Sequence, residues 1–383
     1  MEGLPASCQI DLAIDPAAAL GDLSLVDCPD RSGCQQLVID WPNPPTRRSR
    51  FVLYSGFHDG SQFVLGYGRA STPVQGVDLN HYAAVREDGR HVVVARSPQP
   101  DFAAAYCAIT TLQTVSEGFV MTLVGRDAAR QSWARVLRGR YEAPAEVEPL
   151  PRDGDATTRF IQRTASDWNV TALESTPPIS VFRAELDGPA TEVAGGAGYQ
   201  EIGAVARGTI FVSEYEGRWW VAAAGPTDSV VRPFIDLAEG ESAIPRTDGD
   251  DIVWLQAFGP RGMIYYDRIE LWTSPWADTR TELAPRAVAR LPFAGVNGGI
   301  GMGHGRAWAA EYDDSYGIYD LATGERRAYH PPPDRALGAG TKILGPEELV
   351  IPVVLPNRSP DEATAVQIVR IDALPVEPLT FSR

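Results

Sequence analysis

Lysine is all but missing from this chain, Lys342 being the only one, and histidine is scarce, with 5 in 383 residues. The 34 basic side chains face 50 acidic ones, which leaves a formal net charge of -16. A field of that sign repels phosphate backbones and anionic headgroups, so nucleic acid and membrane surfaces are excluded as expected partners. No stretch approaches the roughly 18 to 20 apolar residues that a membrane helix needs, and no transmembrane segment is expected. A Gly-x-Ser-x-Gly elbow, which would carry a hydrolase nucleophile, is missing, as are the CxxC and Cys/His spacings of a zinc site. The start, residues 1–8 (MEGLPASC), lacks the basic and apolar regions of a signal peptide. It fits a chain whose leader has been removed, which would place the protein in the periplasm, at the cell surface or outside the cell. The alternative is a native cytoplasmic start.

Cysteine is rare too: Cys8, Cys28, Cys34 and Cys107. Cys28 and Cys34 bracket a turn-like segment, residues 29–33 (PDRSG), short enough for a disulfide to close, and Cys8 and Cys107 could then pair at longer range. Three pairings are open, and four reduced thiols in a cytoplasmic protein are the alternative.

What the chain has in quantity is punctuation. Gly (36) and Pro (31) are scattered along its whole length, and between them short apolar, β-branched and aromatic runs recur in pairs around turns. Residues 51–54 and 63–67 read as one hairpin; residues 82–86 and 91–95 flank an Asp-Gly turn and read as another. Helical periodicity is nearly absent. Residues 207–215 (RGTIFVSEY) recur as 304–312 (HGRAWAAEY), with a related unit at 250–255 between them. That spacing amounts to two repeats of the roughly 40 to 50 residues of a four-stranded propeller blade. The expectation is therefore an all-β protein, a β-propeller of about seven four-stranded blades, with six or eight also compatible. Residues 51–383 form the propeller. Residues 1–50 form a cysteine-containing arm, in which 35–41 (QQLVIDW) is a candidate strand that joins the last blade and closes the ring.

Residues 249–254 (GDDIVW) and 269–273 (IELWT) resemble blades of the TolB-like and WD40-like propeller superfamily found in many bacterial extracytoplasmic proteins. That resemblance implies fold and leaves activity open, because propellers serve as enzymes, receptors and scaffolds alike.

Candidate site residues are few. His304 lies among small neighbours in residues 301–305 (GMGHG), where its imidazole is either part of a turn or a ligand contact at an axial mouth. Trp219 and Trp220 are adjacent, so a strand must send one of them towards solvent or a neighbouring loop, where it is a candidate ligand contact, with core packing as the alternative; Trp254 and Trp308 are expected inside. Some propeller lactonases hold calcium with Glu, Asn and Asp side chains from inner strands, since a hard cation wants oxygen ligands. Glu201, Asn169 and Asn297 are the matching candidates here, against a plain turn or strand-end role for each. The acidic clusters at 153–155, 248–251 and 313–315 complete no calcium-loop pattern. The glycine-rich segments 194–198 and 298–305 precede no helix, which removes a phosphate-binding reading.

These residues lead to a first expectation of a non-catalytic binding or scaffolding module that recognises a protein or glycan on one face, with no cofactor. The alternative is a calcium-dependent, lactonase-like hydrolase with its metal in the central channel. Oligomeric state is left open.

Overall fold

The structure is a computed structural model, and it describes residues 11–12, 22–40, 49–58, 63–71, 79–86, 91–98, 106–114, 118–126, 132–143, 146, 148–149, 158–163, 170–174, 179–184, 191–196, 199–205, 208–215, 218–224, 232–237, 242–247, 251–259, 268–275, 284–291, 300–311, 315–333, 336–337, 343–354 and 365–378. Nearly all of them are strand; the one helical element is a single 3-10 turn, Ile371–Ala373. The chain divides into two compact units, Met1–Thr158 with Pro331–Ala373, and Arg159–His330 with Leu374–Arg383.

The first unit holds three sheets. Ser49–His58, Phe63–Ser71, Leu79–Arg86 and His91–Pro98 form an antiparallel meander, so the two hairpins read from the sequence share one sheet; Asp11–Leu12 pairs with its last strand. Tyr106–Thr114, Gly118–Arg126, Ser132–Arg140 and Glu148–Pro149 form the second. In it Phe119, Met121 and Leu123 alternate into the core, and the Phe119 ring covers Gly139, where an added Cβ would lie 2.5 Å from the ring.

The third sheet joins both ends of the chain. Glu348–Val354 pairs with Ala365–Arg370, which pairs with Cys34–Asp40, which pairs with Asp22–Asp27. The early strand expected around 35–41 thus adds to the last hairpin of the chain. Ala365 to Val369 are buried on both strand faces, and the run is apolar except for Gln367, which is buried with its neighbours. Pro352 sits on Glu348–Val354 between the points where Ile343–Leu344 and Ala336–Leu337 pair, so its missing N–H interrupts neither short ladder. Cys28 and Cys34 form a disulfide with 5.4 Å between their Cα atoms. Cys8 and the Cys107 side chain lie outside the described residues.

The second unit holds four sheets of four strands, each a meander in chain order: Thr158–Arg163 to Thr191–Gly196, Tyr199–Val205 to Arg232–Leu237, Ser242–Thr247 to Arg286–Leu291, and Ile300–Gly303 to Arg326–Tyr329. The last two share a core built on the two-residue strand period. Val253, Leu255, Ala257, Ile269 and Leu271 from one sheet meet Ala307, Ala309, Tyr319 and Leu321 from the other. Trp254 and Trp308 are buried, as expected; Trp254 stacks on Trp272 with centroids 6.2 Å apart, and Trp308 meets Tyr316 edge-on at 5.5 Å.

Candidate functional site

The hairpin turn between Ile300–Gly303 and Arg306–Ala310 contains His304. His304 has φ of 54° and Gly305 has φ of 69°, two consecutive left-handed residues, which is the turn geometry that matches the twist of paired strands. His304 is exposed. The carbonyl of Gly305 accepts from the Leu321 N–H at 2.9 Å, tying this turn to the next one. There the Asp320 Oδ1 accepts from the Ala322 and Thr323 N–H groups and from the Thr323 hydroxyl, at 2.8 to 3.1 Å, while Gly324 turns the chain at φ of 76°. Partial burial pushes the Asp320 carboxyl up, but hydrogen bonds from Thr323 and Ala322, with Arg306 nearby, outweigh it and hold the group below the usual carboxylate range.

On the same sheet lies a buried ionic cluster that the sequence reading missed. Glu311 follows Arg306–Ala310, and only 2% of its side chain is exposed. Its Oε1 accepts from the Tyr319 hydroxyl at 2.6 Å and from Arg326 Nε at 2.9 Å; its Oε2 accepts from the Ser315 hydroxyl at 3.0 Å and from Arg326 Nη2. Gly317 makes room for this, since a Cβ there would collide with the Glu311 carboxylate and come within 2.8 Å of the Tyr319 hydroxyl. Burial, then the charge and hydrogen bond of Glu311, push the Tyr319 phenol well above its ordinary value. Hydrogen bonds to Glu311 hold Arg326 charged against the burial that opposes it. The signal was present in the repeat, where Glu214 and Glu311 occupy matching positions in residues 207–215 and 304–312.

Arg326 reaches further. Its Nη1 donates to the Glu377 carbonyl at 3.2 Å and lies 3.6 Å from the Glu377 carboxylate, which His330 also meets at 3.1 Å. Backbone bonds from Ala328 N–H to Pro375 C=O and from Glu377 N–H to Arg326 C=O lay residues 375–377 along the outer side of Arg326–Tyr329. This cluster is satisfied by its own members and binds the chain to itself.

The remaining candidates stand elsewhere. Trp219 and Trp220 are neighbours on the strand Arg218–Ala224, opposite Glu214 and Ser213. Glu201 stands on Tyr199–Val205, the first strand of its sheet, where the pairing register shifts between Tyr199 and Glu201. Their side chains, and Asn169 and Asn297 altogether, lie outside the described residues. Among the described residues no group of three or more His, Cys, Asp or Glu is placed to hold a metal ion, and no helix is long and apolar enough to cross a membrane.

No protein family and no curated protein matches the chain in sequence. Solved structures match it in fold. An oligogalacturonate lyase in complex with manganese matches 91% of this chain and 96% of its own, at 12% identity and a TM-score of 0.56. The oligogalacturonate lyase of Vibrio parahaemolyticus matches 95% and 98%, at 9% identity and a TM-score of 0.54. A gluconolactonase of Xanthomonas campestris matches 66% and 82%, at 17% identity and a TM-score of 0.37. At such identities the likeness is one of fold: the chain is a β-propeller, without a specific tie to the TolB-like or WD40-like group. The expected non-catalytic module is corrected by the same finding, because the structures that this chain follows over 91% and 95% of its length are enzymes.

Proposed function

We propose that this chain is a metal-assisted propeller enzyme, a lactonase-like hydrolase acting on a carbohydrate-derived lactone. The observation that carries the metal-assisted enzyme reading is the match, over 91% of the chain, to an oligogalacturonate lyase in complex with manganese. Glu201, Asn169 and Asn297 are the candidate ligands. One carboxylate and two carboxamide oxygens suit a hard divalent cation such as calcium, and the strand irregularity at Glu201 is of a kind enriched beside active sites. Such an ion, when bound, polarises a substrate carbonyl and acidifies a coordinated water. His304, exposed on its turn, is the candidate contact for the substrate. The Cys28–Cys34 disulfide favours an oxidising compartment, the periplasm or the exterior.

A second reading, elimination from a uronate, is favoured by the two full-length matches to oligogalacturonate lyases. The assays separate the two, since hydrolysis of a lactone releases a proton and elimination creates an ultraviolet-absorbing double bond.

The test combines metal analysis of the purified protein, melting in calcium, manganese and EDTA, and turnover of sugar lactones and oligouronates. A tightly held ion raises Tm by mass action. Glu201→Gln is expected to lose the ion and the metal-dependent part of Tm while melting like the parent in EDTA. A protein without metal, without a Tm shift and without turnover on either substrate class would end the proposal.

A further inference from the structure

A sheet edge offers unpaired N–H and C=O groups to any extended chain, and proteins blunt such edges with prolines, charges, bulges, short strands or a covering segment. Six of the seven described sheets carry such a device on the strand that ends their meander. His91–Pro98 is bulged against its neighbour and covered by Asp11–Leu12. Glu148–Pro149 is 2 residues long and contains a proline. Thr191–Gly196 and Arg232–Leu237 both pair with a register shift, the second with Pro233 in its path. Arg286–Leu291 has a shift and exposed Arg286 and Arg290. Arg326–Tyr329 is covered by residues 375–377.

The seventh sheet ends differently. Asp22–Asp27 (DLSLVD) pairs with Cys34–Asp40 in unbroken register and contains no proline; its charges, Asp22 and Asp27, stand only at its two ends, and among the described residues no further segment pairs with it. Leu25 and Val26 are 38% and 45% exposed, and Ser24 and Asp27 are exposed beside them. This hairpin is held in shape. The disulfide closes its turn, the Cys28 N–H donates to the Cys34 carbonyl at 3.0 Å, and the Arg370 N–H donates to the Gly33 carbonyl at 2.8 Å. An edge fixed in this way loses little conformational freedom when a partner strand joins it.

We infer that Asp22–Asp27 is a docking edge for an extended segment of a partner protein, apolar along its length with a basic residue at each end, bound by strand addition. Charge selects this occupant. Antiparallel pairing of two copies would set Asp22 of one opposite Asp27 of the other, and like charges directly opposite destabilise a sheet. Chains of net charge -16 also repel each other as wholes. The outer strand Arg326–Tyr329, already covered by an extended piece of this chain, shows the mode of attachment in cis. The inference stands apart from the catalytic reading and does not depend on it.

The test uses the full-length protein and two short labelled peptides of alternating valine and threonine, one ended by lysines and the other by glutamates. Fluorescence anisotropy is expected to show the lysine-ended peptide binding, and the glutamate-ended one at least roughly tenfold weaker. The double variant Leu25→Lys/Val26→Lys, and separately Ser24→Lys, is expected to weaken the lysine-ended peptide by a similar factor with Tm and circular dichroism unchanged, because these side chains are exposed. Equal binding of both peptides, no binding of the lysine-ended one, or binding that survives in the variants through general acidity of the surface would overturn the inference. So would a dimer in sedimentation that the variants abolish, which would assign the edge to a second copy.

Discussion

Burying a carboxylate as deeply as Glu311 is costly unless its oxygens are all matched, and Tyr319, Ser315 and Arg326 together do that. Glu311→Gln leaves the Arg326 guanidinium buried without its counter-charge, and urea unfolding should register a loss of about 3–5 kcal/mol. Tyr319→Phe removes one donor to a charged acceptor and should cost about 1.5–3 kcal/mol. The pH dependence has a definite sign. A phenol raised in the folded state contributes stability that is whole below the ordinary tyrosine value of about 10 and is lost as pH climbs past it. Unfolding midpoints measured between neutral and alkaline pH should therefore fall above that point in the parent, and fall less in Tyr319→Phe. Gly317→Ala should disrupt the cluster by itself, because the added methyl would occupy the carboxylate's space.

At the scale of elements, the C-terminal segment completes a sheet made long before it in the chain. Leu374 is 2% exposed, its carbonyl accepts from Arg327 Nη1 at 3.0 Å, and residues 375–377 pair with Arg326–Tyr329. Ending the chain at Ala373 should cost about 2 kcal/mol, the burial of one leucine and a few hydrogen bonds less the ordering of the segment. The shortened protein should also aggregate more readily in light scattering, its edge now bare. Sequence reasoning found the hairpins because alternation and Asp-Gly or Gly-rich turns announce them. It missed the segment at 375–377, since a proline-bearing stretch with no alternation leaves no strand pattern. It missed Glu311 for a related reason: nothing near Glu311 in the chain says that Gly317 will leave space for it. The convergence proposed for Glu201, Asn169 and Asn297 would need side chains from different sheets to meet, which spacing along one strand does not encode.

For the molecule as a whole, the repeat at 207–215 and 304–312 foretold the propeller, while the activity had to be argued from structural likeness. The charge of -16 has its own consequence at this scale. Self-repulsion opposes compaction and is screened by salt, so Tm is expected to rise by a few degrees as sodium chloride is raised towards physiological strength and then level off. A flat or falling profile in differential scanning fluorimetry would show that local ion pairs such as Arg326–Glu311 outweigh the net charge.

The third sheet of the first unit sets an order of events in time. Gln36 and Gln367 touch in it across a sequence separation of 331, so the hairpin around the Cys28–Cys34 turn is among the last to find its neighbours. Cys28 and Cys34, only 6 apart, need nothing distant to meet. The disulfide can therefore lock the hairpin early in folding, and that hairpin keeps its shape until residues 365–370 arrive beside it.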